Sequence, residues 1–134
     1  MRRKTMAVMV FSMAVALGLG FLANQLRAQE QAPSAKTVEV KQVKLSGGVA
    51  EAAMIYRANG MPLSVSIVAP KGVIVCMHYD LDALASHQVA AASVQGIKSI
   101  DEALETKVAH VNALAEKLGV HPGMPVREAL EKMM

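Results

Sequence analysis

Four apolar segments separated by turn residues constrain the fold of this chain most strongly. They cover residues 37–45, 49–57, 62–69 and 73–79. Asn59-Gly60 separates the second from the third and is the strongest short-range hairpin signal, because a type I′ turn requires a positive φ at both central residues. Gly47-Gly48 and the segment beginning at Pro70 mark the other two turns. The sequence therefore predicts a four-stranded antiparallel meander.

The four predicted strands differ in which of their faces are apolar. In the third, apolar residues alternate with Ser64 and Ser66, which is typical of a sheet with one face in solvent. The first changes phase near Lys41-Gln42, and a β-bulge there would reconcile its two halves. The fourth is apolar on both faces from Val73 to Met77, which predicts a central strand that is covered on both sides.

The rest of the chain alternates between helical and strand-like patterns. The predicted elements are a short helix over 81–88, a short strand over 89–94, a long helix over 99–119 and a last helix beginning at Pro125. Asp80 is suited to cap the first helix, and Ser99 with Glu102 forms a capping box for the long one. The predicted fold is α+β, with a four-stranded antiparallel meander plus a further short strand and with the helices packed on one side of the sheet.

Residues 1–28 are typical of a targeting segment, because basic residues precede an uncharged apolar run. They predict a signal peptide or a single N-terminal membrane anchor. A cut after Ala28 would place the bulky Leu26 at the third position before it, so both alternatives stay open. Either way the domain is expected to be exported, in the periplasm or on the outer side of the cytoplasmic membrane. Residues 29–35 form a polar tether to a domain over 36–134.

The charge balance argues against a nucleic-acid partner. Four of the 14 basic residues lie in the leader, which has no acidic residue, so ten basic and 11 acidic residues remain. A domain of this charge offers no electrostatic footprint for phosphates. Both phenylalanines also lie in the leader, which leaves Tyr56 and Tyr79 as the rings that could stack on bases. We therefore predict no nucleic-acid binding.

The chain has a single cysteine, Cys76, at the end of the fourth apolar segment. In an oxidising compartment such a thiol must be buried, metal-bound, paired between chains or reactive. His78 lies two residues further on, so on a strand it would share a face with Cys76. The pair predicts either a catalytic thiol with His78 as its base or two ligands of a metal site, and the alternative is that Cys76 is a small core residue.

A zinc-type metal site would need about four ligands, or three and a water. The other candidate ligands are Asp80, Asp82, His87, His110 and His121. No two of the histidines are one helical turn apart, and we assign no metal site. Asp80 or Asp82 could instead orient His78, although Asp80 is better suited to cap the following helix.

A second candidate site is an anion-binding first turn of the last helix. Arg127 lies there, where backbone N–H groups point outward and could bind an anion together with its guanidinium. The alternative is a solvated turn in which Arg127 pairs with Glu131 at i,i+4 spacing.

Three motifs in order resemble the YunC-like family. They are "GVIVC" at 72–76, "GIKSIDEAL" at 96–104 and "LGVHPGMPVREALEKM" at 118–133. The resemblance extends over most of residues 36–134 and implies an α+β domain whose N-terminal strands assemble a homo-oligomer, a tetramer. It implies no known activity. Met77 and His78 stand after the cysteine where the family has glycine, and Val126 stands where a glycine commonly precedes the arginine.

The leading hypothesis is an exported, homo-oligomeric YunC-like binding or scaffold module without catalysis. The alternative is a thiol- or metal-dependent enzyme centred on Cys76 and His78. No nucleotide fingerprint or phosphate loop indicates a cofactor.

Overall fold

The computed structural model describes residues 36–134, so the predicted leader over 1–28 and the tether over 29–35 lie outside the described residues. The strands of the described part are β1 (Val38–Leu45), β2 (Gly48–Tyr56), β3 (Pro62–Ala69), β4 (Gly72–Cys76), β5 (Ala91–Val94) and β6 (His110–Val111). Its helices are α1 (Leu81–Ser86), α2 (Ile100–Glu105), α3 (Ala113–Lys117) and α4 (Val126–Lys132). The fold class is α+β, as predicted.

The strands form a single mixed sheet in the order β1-β2-β3-β4-β5-β6. The first four pair antiparallel through tight turns, β5 joins β4 in parallel, and β6 pairs antiparallel with β5. Helix α1 makes the crossover between the parallel strands β4 and β5, a connection that cannot be a tight turn. The predicted meander is therefore part of a larger sheet, and β6 was not predicted.

The predicted bulge near Lys41-Gln42 is wrong. Strand β1 pairs with β2 in unbroken register from Val38 to Leu45, and the irregularity lies instead in the β2–β3 pairing, at Ile55 and Tyr56. The apolar residues at the start of β1 therefore keep to the outward face of the sheet. The alternation changes phase because Val38 and Val40 are apolar residues on the exposed face, and not because a residue is inserted into the strand.

The predicted long helix over 99–119 is also wrong. Helix α2 ends at Glu105, β6 follows, and a separate helix α3 begins at Ala113. Asn112 starts α3 as its N-cap, and its side chain accepts a hydrogen bond from the backbone N–H of Ala115. Pairing of β6 with β5 in place of a helical turn divides the predicted helix into two.

Helices cover both faces of the sheet, which corrects the prediction that they pack on one side. Helices α2, α3 and α4 contribute to the main core, whereas Val73, Val75 and Ala91 form a second cluster on the opposite face with Leu81 and Leu84. Strand β4 is buried along its whole length, as predicted for a strand with two apolar faces. Burying its second face requires a cover, which α1 supplies.

The cover ends at β4 and leaves the outward face of β1–β3 open. We call this surface the open sheet face; its large apolar residues are Val38, Val40, Val49, Ile55 and Val68, all of which are exposed. Cross-strand pairing brings Val38 beside Ile55 and Val40 beside Ala53, whereas Val49 lies beside Lys44 and Val68 beside Glu51. Among the helices of residues 36–134, none has the length and apolar character needed to cross a bilayer.

Candidate functional site

Cys76 is held at the last position of β4, between β3 and β5. It pairs with Val94 of β5, and the next backbone N–H, from Met77, donates to the Val94 carbonyl at 2.9 Å. The predicted strand was longer, to Tyr79. The chain instead turns after Cys76, with the N–H of Tyr79 donating to the Cys76 carbonyl at 3.2 Å. These hydrogen bonds fix Cys76 at the C-terminal end of an interior strand, where a turn begins.

Polar side chains from the turn and from β3 lie close to the Cys76 sulfur. His78 Nδ1 lies 3.5 Å from Sγ, and Ser64 Oγ of β3 lies 3.7 Å from it. Ser64 Oγ in turn is 3.4 Å from the Tyr79 hydroxyl. The predicted pairing of Cys76 with His78 is thus present in the structure, and Ser64 and Tyr79 join it.

The thiol is only 8% exposed, and its surroundings favour the thiolate. Burial acts to raise the pKa of Cys76, but hydrogen bonds from the backbone N–H groups of His78 and Val65 and from the side chains of His78 and Ser64 outweigh it. The pKa therefore lies below the ordinary value of 9.0. Cys76 is also a member of the main core cluster. A buried thiol with a lowered pKa is more readily converted to the thiolate, which is the nucleophilic form.

Two cavities adjoin the thiol. The inner cavity, of about 250 Å³, is lined mainly by apolar residues that include Met54, Val65 and Val94. The outer cavity, of about 400 Å³, is lined by Arg57, Leu63, Ser64, Cys76, His78 and Tyr79. Cys76 and His78 belong to the walls of both. A molecule in either cavity would therefore lie against the thiol.

The only charged side chains in the walls of these cavities, apart from the histidine, are basic. Arg57 lines the outer cavity and Lys98 the inner one, and no Asp or Glu belongs to either set of lining residues in the described part of the chain. Ser64, Tyr79 and Arg57 were not predicted as site residues. Ser64 could have been identified from the pairing of β3 with β4, which places it near the end of β4.

Most other candidate residues lie outside this cluster. Asp80 caps α1, its Oδ1 accepting from the N–H groups of Asp82 and Ala83 at 3.0 Å, as expected. His87 is at the C-terminal end of α1, and His121 is exposed in a turn. His110 lies on β6, with Nδ1 3.4 Å from Ser93 Oγ, and not on a long helix. Within residues 36–134, no three His, Cys, Asp or Glu side chains are grouped to hold a metal ion.

The residues of the last helix have different partners from those expected. Arg127 Nε donates to Glu105 Oε1 at 3.1 Å instead of pairing with Glu131. Glu131 accepts from the Ser46 hydroxyl at 2.6 Å and from the Ser46 N–H at 2.7 Å, which holds its pKa below the ordinary 4.5. Glu131 thus ties α4 to the β1–β2 turn. Anion binding by Arg127 stays a prediction, and its pairing with Glu105 does not favour it.

Comparison with known proteins places this chain in a family. The model of the family described as "Domain of unknown function (DUF1805)" matches residues 75–133. The uncharacterized protein YunC of Bacillus subtilis is 32% identical over 74 residues, in a match that covers 52% of this chain and 73% of YunC. The chain belongs to the YunC-like DUF1805 family.

A solved structure has the same fold. The crystal structure of a protein of unknown function from Thermoplasma acidophilum is similar with a TM-score of 0.65, at 24% identity, over 72% of this chain and 93% of that one. At this level of identity the likeness concerns the fold alone.

The DUF1805 family model matches only some of the residues of the candidate site. It includes Cys76 and His78, whereas Ser64 and Arg57 belong to β3 and to the loop before it, outside the matched residues. The match of residues 75–133 is also narrower than the resemblance over 36–134 found in the sequence. The candidate thiol site therefore combines residues of the segment that the DUF1805 model matches with residues of β3 and of the loop before it.

Proposed function

We propose that this YunC-like domain is a thiol-dependent enzyme in which Cys76 is the nucleophile and His78 its acid–base partner. The convergence of hydrogen-bond donors on the Cys76 sulfur, beside two cavities, carries this proposal. A cysteine that served only as a small core residue would require neither His78 nor Ser64 at its sulfur. This observation favours the thiol enzyme over a module without catalysis.

The reaction that fits this geometry forms a covalent intermediate on sulfur. The Cys76 proton passes to His78, 3.5 Å away, and the thiolate attacks an electrophilic carbon of the substrate. A sulfur–carbon bond forms while the bond to the leaving group breaks, and the leaving group receives the proton from His78. Water or a second nucleophile then displaces the substrate fragment and restores the thiol.

Alkylation of the full-length protein by iodoacetamide tests the proposal, because Cys76 is the only cysteine. The rate should rise with pH with a midpoint below 9.0, the ordinary thiol value, since the folded protein favours the thiolate. His78→Ala should raise this midpoint and slow alkylation at neutral pH about tenfold for each unit by which the pKa rises.

The matched control is His87→Ala, which removes an exposed histidine at the end of α1 and should leave the rate unchanged. Cys76→Ser should abolish labelling. A thiol that reacts only after unfolding, or a midpoint at or above the ordinary value, would refute the proposal.

We further propose that the domain is homo-oligomeric and assembles through the open sheet face. Exposed apolar patches that are bordered by charged residues are typical of interaction sites. Lys44 and Glu51 lie on the same outward face as Val40, so a two-fold contact would bring Lys44 of one copy toward Glu51 of the other. This self-complementary arrangement supports a second copy of the chain as the occupant, in agreement with the tetramer that the family resemblance implies.

The third part of the proposal concerns location. We propose that the domain is exported, because the charge and apolar pattern of residues 1–28 is that of a signal peptide or membrane anchor. Cell fractionation and the mass of the recovered protein test this. A protein found in the periplasm or on the outer side of the membrane, with or without residues 1–28, is the expected result. A full-length protein in the cytoplasm would contradict it.

A further inference from the structure

The outer cavity has a basic wall that the proposed thiol chemistry does not use. Arg57 lies in its wall with the hydroxyl-bearing residues Ser64 and Tyr79, and the cavity reaches Cys76 and His78. All these groups can donate hydrogen bonds, and none carries a negative charge while the thiol is protonated. A cavity of this kind fits a negatively charged oxygen acceptor better than a cation or a hydrocarbon.

The backbone of Arg57 is fixed by hydrogen bonds, and its guanidinium is available to bind a ligand. Its N–H donates to the Met61 carbonyl at 2.8 Å, and its carbonyl accepts from the N–H of Gly60 at 2.8 Å, which closes the β2–β3 hairpin. Within residues 36–134, ion pairs join Lys36 to Glu39, Lys41 to Asp101 and Arg127 to Glu105. None of them involves Arg57.

Lys98, in the wall of the inner cavity, is a weaker candidate for binding an anion. Its own backbone N–H donates to the carboxylate of Glu102 at 2.8 Å, so a negative charge already lies beside it. Arg57 has no ion pair among the described residues. The charge of a ligand is therefore better accommodated in the outer cavity.

We propose that the substrate of the Cys76 site is an anion, with a carboxylate or a similar oxyanion bound by Arg57 in the outer cavity. This inference rests on the proposed function, since it takes Cys76 as the reacting group. The planar guanidinium can bind a carboxylate through two parallel N–H···O bonds, and the Tyr79 hydroxyl can donate to the same group while the single Ser64 proton serves the Cys76 sulfur. Binding there presents the carbon next to the anionic group to the sulfur.

Two alkylating reagents that differ in charge test the inference on the full-length protein. Iodoacetate is an anion and iodoacetamide is its neutral analogue; in both, the thiolate forms a sulfur–carbon bond as iodide leaves. The ratio of the iodoacetate rate to the iodoacetamide rate, divided by the same ratio for free N-acetylcysteine, measures the preference for the anion. We expect this normalised ratio to exceed one and to fall as salt is added.

Arg57→Met should reduce the normalised ratio about two- to fivefold, the size expected for losing one exposed ion pair. Lys117→Met is the matched control, because it removes an equal charge from an exposed position of α3 outside both cavity walls, and it should leave the ratio unchanged. Arg57→Lys keeps the charge but loses the planar pair of donors, and should give a ratio between those of the wild type and Arg57→Met. Thermal unfolding of each variant checks that the fold is retained.

The possible results separate the two proposals. If neither reagent reacts with the folded protein, the thiol mechanism fails and the inference fails with it. If both react but the normalised ratio is one, or is the same in Arg57→Met and Lys117→Met, the thiol site stands and the anionic substrate is refuted. A loss of preference in Arg57→Met alone supports both.

Discussion

Asn112 is a buried side chain whose every hydrogen-bonding group has a partner. Its Oδ1 accepts from the N–H groups of Ala91 and Ala115, and its Nδ2 donates to the carbonyls of Leu81 and Val89 at 3.1 and 2.9 Å. It is 4% exposed. One amide thus joins the start of α1, the start of β5 and the first turn of α3, which are far apart in sequence.

Asn112→Ala should lower the free energy of unfolding by about 2–4 kcal/mol, because it leaves several buried backbone groups without partners. Asn112→Asp should destabilise comparably at neutral pH, since a carboxylate accepts but cannot donate to the Leu81 and Val89 carbonyls. Urea denaturation followed by circular dichroism measures both changes.

Gln95→Ala is the matched control, because it removes an exposed amide and should change stability by less than about 0.5 kcal/mol. A loss below about 1 kcal/mol in Asn112→Ala would mean that water replaces the amide at little cost, and that this side chain does not hold the three elements together.

The proximity of His78 to Cys76 could be predicted from the sequence, but the rest of the candidate site could not. Two residues of separation suffice to bring His78 near the thiol, whether the chain continues as a strand or turns. Ser64 and Arg57 reach the site only through the pairing of β3 with β4 and the closure of the β2–β3 hairpin. Contacts of this kind depend on register, which the alternation of residue types leaves open.

At the scale of elements, the apolar spacing predicted burial more reliably than secondary structure. The stripe assigned to the long helix consists of Ile100, Leu104, Val108, Val111, Ala115 and Leu118, all of which are buried or partly buried against the main core. Helices α2 and α3 pack on one face of the sheet, and Val111 of β6 contacts the same core. The buried positions of these three elements recur about as often as those of one continuous helix. Spacing alone therefore could not separate the two arrangements.

The local signals that break the long helix are present in its sequence. Thr106, Val108 and Val111 are β-branched and disfavour a helix, and Asn112 is a good N-cap. Each of these preferences is worth only a fraction of the stability of a packed helix. The hydrogen bonds between β6 and β5 decide the outcome, since the N–H groups of Ala109 and Asn112 donate to the carbonyls of Ser93 and Ala91.

The side on which the helices pack follows from β4. A central strand with two apolar faces needs a cover on each, so the prediction for β4 was inconsistent with helices on one side only. Helix α1 resolves the conflict because it connects two adjacent parallel strands and must cross one face of the sheet. The need for a cover on both faces could be deduced from the sequence, because the run from Val73 to Met77 is apolar at every position.

At the scale of the whole molecule, α1 covers β4 and β5 but does not extend over β1–β3. The same outward face that packs against Leu81 and Leu84 at one end is therefore apolar and open at the other. Strand β1 is also at the edge of the sheet, with one row of backbone groups unpaired by any other described strand. Both features favour association through this end of the domain.

Assembly through the open sheet face predicts that a single charge added to this face separates the copies. Val40 is 69% exposed in the chain alone, so Val40→Lys should leave the fold of one copy intact while placing a cation in the apolar contact. Light scattering of the purified full-length protein should give a multiple of the chain mass for the wild type and a smaller species for Val40→Lys.

Met61→Lys is the matched control for this experiment. Met61 is 55% exposed in the β2–β3 loop and is not one of the residues of the open sheet face, so the same change there should leave the mass unaltered. A wild-type protein that is monomeric across a wide range of concentrations would refute the assembly. An oligomer whose mass is the same in Val40→Lys would show that the copies meet through a different surface, and the apolar residues of β1–β3 would then need another partner.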